Sequence, residues 1–101
     1  MPNKVLAIDP GFDRVGVAIL DKEKLYFSCC VETDRKALYA ERLLEIGESV
    51  RKVIDKWKPE SLAIEKLFFN QSTSTAMRVA EARGVIIYEC ARAGLEVFEY
   101  S

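Results

Sequence analysis

The sequence predicts an α/β domain built on one five-stranded mixed sheet. Short apolar runs rich in β-branched and aromatic residues recur at Val5–Ile8, Val15–Leu20, Leu25–Val31, Ser61–Ile64 and Leu95–Tyr100. The first three are joined by short polar links, whereas the last two each follow a long segment of helical period. A length of 101 residues suits a single domain.

Taken in order, Val5 to Ile8 is a buried strand, broken by Asp9-Pro10-Gly11 because proline and glycine punctuate turns. Val15 to Leu20 is the second strand, Asp21 to Lys24 a polar turn, and Leu25 to Val31 the third strand. Links this short imply an antiparallel meander. Thr33 or Asp34 is placed to cap a helix, and Leu38, Leu43, Ile46, Val50, Val53, Ile54 and Trp57 recur at helical spacing after it. Lys58-Pro59 ends that helix. Ser61 to Ile64 is a short central strand with Glu65 at its end. Asn70 to Thr75 is a run of small polar residues that forms a loop and helix cap. A second helix runs from about Thr75 to Ala93, with Gly94 as its stop. Leu95 to Tyr100 is the last strand. Right-handed crossovers through both helices make strands one, four and five parallel, in the sheet order 3-2-1-4-5.

Composition narrows the function classes. No apolar run approaches the roughly 20 residues of a membrane span, and no signal-peptide pattern opens the chain, so a cytoplasmic protein is expected. Three cysteines without a CxxC pair, and no histidine, argue against structural zinc. Cys29, Cys30 and Cys90 are expected as reduced, half-buried core thiols. A net charge of −1 means that any nucleic-acid surface must be local or supplied from elsewhere.

The chemistry concentrates on two carboxylates. Asp9 ends the first strand and Glu65 the fourth. As parallel neighbours about 4.8 Å apart, both strands deliver their carboxylates to the carboxyl edge of the sheet, where open α/β sheets commonly bind ligands. Two carboxylates so close repel unless a cation or proton joins them. Hard oxygen donors suit Mg²⁺ or Mn²⁺. Taken singly, an aspartate before Pro-Gly is a turn former and a glutamate at a strand end is solvated, so the convergence is what points to function. Gly11 and Gly16 bracket four residues but are followed by Val17 and Ala18 rather than Lys-Ser/Thr, which excludes a P-loop. The Asp-x-Gly turn before a Val-Gly-Val-Ala strand is also compatible with the actin-like sugar-kinase fold, which needs a far longer chain. Phe68 and Phe69 read either as core or as a base-stacking wedge beside the metal site. Ala76, Ala80, Ala82, Gly84 and Ala91 make the second helix small enough for close packing, on the sheet or on a second copy of the chain.

Several of these segments together resemble the RuvC family of Holliday-junction resolvases: Ala7-Ile8-Asp9-Pro10-Gly11 with Gly16, Leu62 through Phe69, Ala80-Glu81-Ala82-Arg83-Gly84-Val85, and Val97-Phe98-Glu99-Tyr100. The resemblance implies an RNase H-like fold and Mg²⁺-dependent cleavage of four-way junction DNA in recombination and repair. It makes Asp9 and Glu65 catalytic metal-binding carboxylates, Phe68 a base-stacking residue, and Phe69, Gln71 and Ser72 DNA contacts. It also implies a homodimer through Ala76, Ala80, Arg83 and Gly84 of the second helix, and branch-migration motor proteins as partners. The family's final basic segment and helix, with its remaining metal ligands, have no counterpart here. Residues 1–101 are therefore expected as the N-terminal two-thirds of the family's nuclease domain, poorly active alone. A non-cleaving dimerising or DNA-binding module is an alternative, as is a YqgF-like RNA-processing nuclease.

Overall fold

A computed structural model of the chain describes residues 3–67 and 74–101. Strands β1 (Val5–Asp9), β2 (Arg14–Leu20) and β3 (Leu25–Glu32) precede helix α1 (Tyr39–Trp57); strand β4 (Ser61–Glu65), helix α2 (Ser74–Arg92) and strand β5 (Glu96–Tyr100) follow. The sheet order is β3-β2-β1-β4-β5, as the sequence predicts. β2 pairs antiparallel with both β1 and β3, and β4 pairs parallel with both β1 and β5.

Alternation along the strands sorts the sheet into two faces. Leu6, Ile8, Val15, Val17, Ile19, Leu62 and Ile64 are buried and form one cluster with Ile46, Val50, Val53 and Ile54 of α1 and Ala82, Ile86 and Cys90 of α2. Both helices therefore lie on one side, and burial of these side chains is the main stabilising force. The other face carries Val5, Ala7, Leu20 and Ala63, which line a shallow hollow of about 780 Å³. At the β2–β3 turn the Asp21 carboxylate accepts hydrogen bonds from the amides of Glu23 and Lys24 and from the Tyr26 hydroxyl. The Tyr26 bond, above all, holds the Asp21 carboxyl below the usual carboxylate range.

Three expectations are corrected. The first helix starts at Tyr39, not at Thr33 or Asp34. The Thr33 hydroxyl instead donates to the Phe12 carbonyl at 3.0 Å and accepts from Arg42, while the Asp34 carboxylate caps a local turn at the Lys36 amide. Leu38, expected on the helix's apolar face, is 72% exposed and occupies the N-cap position, where its amide donates to the Glu41 carboxylate. Cys29 and Cys30 are exposed on edge strand β3; only Cys90 is buried, and burial pushes its thiol up to about 12. The helix stops fall where the sequence places them: Lys58 takes a left-handed conformation ahead of Pro59, and Gly94 has a φ of 85° after α2.

Candidate active site

The β1–β4 register runs through Ile8↔Ile64, so Asp9 and Glu65 are the next residues on adjacent parallel strands. Ile8 and Ile64 face the helices, and alternation turns Asp9 and Glu65 to the opposite face, where both are exposed. Among the described residues, neither carboxylate takes part in an ion pair or a side-chain hydrogen bond.

The backbone around them is shaped for access. Gly16 is the register partner of Asp9 on β2, and a Cβ there would lie 3.3 Å from the Asp9 Cβ. A side chain at position 16 would therefore crowd the aspartate. Gly11 is required by the turn itself, since a Cβ would meet the Arg14 carbonyl oxygen at 2.1 Å. On the β4 side, Arg83 reaches down from α2. Its Nε donates to the Glu65 carbonyl at 3.1 Å, and its guanidinium pairs with Glu99 of β5. The Lys66 amide donates to the Tyr100 carbonyl at 2.7 Å, continuing the β4–β5 ladder past Glu65. The strand end that carries Glu65 is thus held from the helix and from β5 together.

A second group of residues stands beside the carboxylate pair. Arg42 is buried on α1, and its Nη2 lies 2.5 Å from the Asp13 carboxylate while its guanidinium also donates to Thr33. Arg35 approaches the other Asp13 oxygen at 3.6 Å. The hydrogen bond from Arg42, reinforced by the charges of Arg35 and Arg78, holds the Asp13 carboxyl below its ordinary value. This network closes the β1–β2 turn onto α1 and so sets the direction in which the chain leaves Asp9.

Of the other residues singled out in the sequence, Phe68, Phe69, Gln71 and Ser72 lie outside the described residues. Ala76 and Ala80 are half-buried on α2. Gly84 is exposed, and a Cβ on it would meet nothing within 4 Å. Arg83 is drawn to its own sheet, with only 15% of its side chain exposed. Asp13, Arg42 and Arg78 do not stand out in the sequence. The one signal available there is the clustering of acidic and basic residues in the turn Gly11–Arg14.

Sheet order and helix placement define an RNase H-like domain. The sequence profile of the family described as crossover junction endodeoxyribonuclease RuvC matches residues 5–101, and the chain belongs to that family. A RuvC from Finegoldia magna is 39% identical over 97% of this chain and 62% of its own length. The solved structure of Thermus thermophilus RuvC in complex with Holliday junction substrate superposes with a TM-score of 0.88, at 28% identity, covering 97% of this chain and 64% of that one. The yeast mitochondrial Holliday junction resolvase shares the fold, with a TM-score of 0.65 at 10% identity, over 99% of this chain and 53% of its own. The chain thus spans less than two-thirds of the length of each of these relatives.

Proposed function

We propose that residues 1–101 form the N-terminal part of the catalytic domain of a structure-specific endodeoxyribonuclease. In this reading it resolves Holliday junctions by paired phosphodiester hydrolysis, in DNA recombination and repair in the cytoplasm. The observation that carries the proposal is the position of Asp9 and Glu65 one step beyond Ile8↔Ile64, on one face and without an ion-pair partner among the described residues. Exposed oxygen donors on adjacent strands fit a hard divalent cation, Mg²⁺ or Mn²⁺, which needs only one or two carboxylates and keeps its remaining waters. When bound, such an ion supplies Lewis-acid polarisation of the phosphodiester and an activated water.

The chain's own residues do the positioning. Asp9 and Glu65 would hold the ion at the sheet edge; Gly16 keeps the approach to Asp9 clear; Arg83 fixes the backbone at Glu65. Phe68 and Phe69, with Gln71 and Ser72, follow Glu65 in sequence and are assigned to base stacking and DNA contact. Ala76, Ala80, Arg83 and Gly84 of α2 are assigned to a two-fold contact between copies, which would present two such edges to the symmetric strands of a four-way junction. Branch-migration motor proteins are the expected partners. Among the described residues no third histidine, cysteine or carboxylate joins Asp9 and Glu65. The 101-residue chain is therefore expected to hold metal weakly and cut slowly.

The test compares cleavage of a four-way junction by this chain with cleavage by a version extended to the full length of its relatives, each with and without Asp9→Asn. The proposal expects strong, Asp9-dependent nicking by the extended version and weak nicking by the 101-residue chain. Equal rates from the parent and Asp9→Asn extended versions would remove Asp9 from the chemistry.

A further inference from the structure

Four arginines gather around the β1–β2 turn. Arg14 pairs with Glu32 at 3.0 Å, and Arg35 and Arg42 both address Asp13, at 3.6 and 2.5 Å. Arg78, on the first turns of α2, lies over the Phe12 ring at 5.3 Å and the Tyr39 ring at 5.4 Å. It is exposed, and among the described residues it makes no hydrogen bond or ion pair. Two carboxylates pair with three of these cations, and a third, Glu81, accepts from the Tyr39 hydroxyl under Arg78.

The geometry also orients that charge. Arg42 lies over the same Phe12 ring at 4.1 Å, so two guanidiniums are held against one aromatic side chain. Phe12 is itself buried and stacked on Tyr39, with ring centroids 5.1 Å apart. A guanidinium resting on fixed rings keeps its plane while its N–H groups stay available at the edge. Those of Arg42 are taken by Asp13 and Thr33; those of Arg78 are not taken by any described residue. A hollow of about 310 Å³ opens here, between Gly11, Asp13 and Arg14 on one side and Thr75 and Arg78 on the other. Gly11, which lines the hollow, is two residues beyond Asp9 in the chain.

We propose that this hollow seats a phosphodiester of the nucleic-acid strand that passes over Asp9 and Glu65, held by the planar fork of Arg78 and the charge of Arg14. The ligand rests on the nuclease reading above; the seat rests on the arginine cluster. A planar, bidentate donor suits a phosphate better than a point charge does. The seat gives the strand a register: one phosphate on the stacked arginine, a neighbouring one at the carboxylates. Arg78 acts here as a positioning residue, since it touches the backbone and not the reacting atoms. Such a contact supplies affinity without reading sequence.

The experiment measures binding of a labelled four-way junction, and of a linear duplex of equal length, to the 101-residue chain at several salt concentrations without divalent metal. The proteins are the parent, Arg78→Gln, Arg78→Lys, and Arg92→Gln as a control at the far end of α2. Far-UV circular dichroism checks that each is folded. Arg78→Gln is expected to weaken binding to both DNAs about threefold to tenfold and to reduce the salt slope by about 1. Arg78→Lys should restore the slope but only part of the affinity, and Arg92→Gln should match the parent. Inorganic phosphate at matched ionic strength should leave the difference between parent and Arg78→Gln intact. Its disappearance at low phosphate would mark a free-phosphate site and overturn the assignment to nucleic acid. Equal affinity and slope for parent and Arg78→Gln would overturn the seat, as would failure of Arg78→Lys to recover any slope. A parent that prefers neither DNA, with Arg78→Gln still weaker on both, would sink the junction reading and leave the seat standing. No binding of either DNA by the parent would overturn both.

Discussion

Asp9 and Asp13 stand at the two ends of one turn and have opposite surroundings. Around Asp13 the fold gathers Arg35 and Arg42, and Arg42 is itself buried and bound to Thr33. Around Asp9 it gathers a glycine on one side and a second carboxylate on the other. One aspartate is neutralised by the protein and serves to close the turn. The other has no ion-pair partner among the described residues. The same contrast separates Glu65, whose carboxylate has no partner among the described residues, from Glu99 beside it, which is paired with Arg83. Partnering thus separates Asp13 and Glu99 from Asp9 and Glu65, the pair proposed above to take a metal ion.

The largest effect that could break this contrast is on cleavage. In a version extended to the relatives' length, Asp9→Asn or Glu65→Gln is expected to slow junction cleavage by about 100-fold or more, measured in single turnover. The same substitutions should not destabilise the metal-free chain. Removing one of two adjacent like charges is expected to leave the melting temperature unchanged or raise it slightly, by about 0.5 kcal/mol of stability. A clear loss of stability would mean that these carboxylates are structural after all.

Next in size are the substitutions that attack the turn. Gly11→Ala drives a methyl group to within 2.1 Å of the Arg14 carbonyl oxygen unless the turn shifts, and should cost about 2–3 kcal/mol in denaturant unfolding. Arg42→Met removes a buried guanidinium from Asp13 and Thr33 and should cost about 2 kcal/mol. Gly16→Ala sharpens the comparison, because its Cβ meets only the Asp9 side chain closely, at 3.3 Å. It should cost about 1 kcal/mol or less while weakening metal binding.

The smallest expected effect is on pH dependence. The Asp13 carboxyl is held below its ordinary value of 3.8, so its contribution is fully present above that value and is lost as pH falls through the lowered one. Thermal melts from about pH 5 down to about pH 2 should show a steeper acid limb in the parent than in Asp13→Asn. Identical limbs would show that the Arg42 contact does not set the acid response.

Much of this contrast could be read from the sequence, and what could not has a physical cause. The five strands, their order and the meeting of Asp9 with Glu65 follow from short links, the right-handed crossover and strand ends, all local or topological rules. The arginine network does not follow from them. Asp13 and Arg42 are 29 residues apart, and no periodicity links them. That same network moves the helix boundary: the cap-like residue Thr33 has its hydroxyl engaged by Phe12 and Arg42 across the fold, so the helix begins at Tyr39. Cys29 and Cys30 look like core residues in an apolar run, but β3 is the edge strand and leaves them exposed. Tertiary context overrides a local preference in each case.

The central claim is that Asp9 and Glu65 are held without a protein cation in order to bind a divalent one. Titration of Mn²⁺ into the metal-free chain, followed by the loss of the free-ion electron paramagnetic resonance signal, tests it most directly. Weak but saturable binding by the parent is expected, abolished in Asp9→Asn and in Glu65→Gln and retained in Arg78→Gln. Equal Mn²⁺ binding by the parent and by the double variant Asp9→Asn/Glu65→Gln would contradict it.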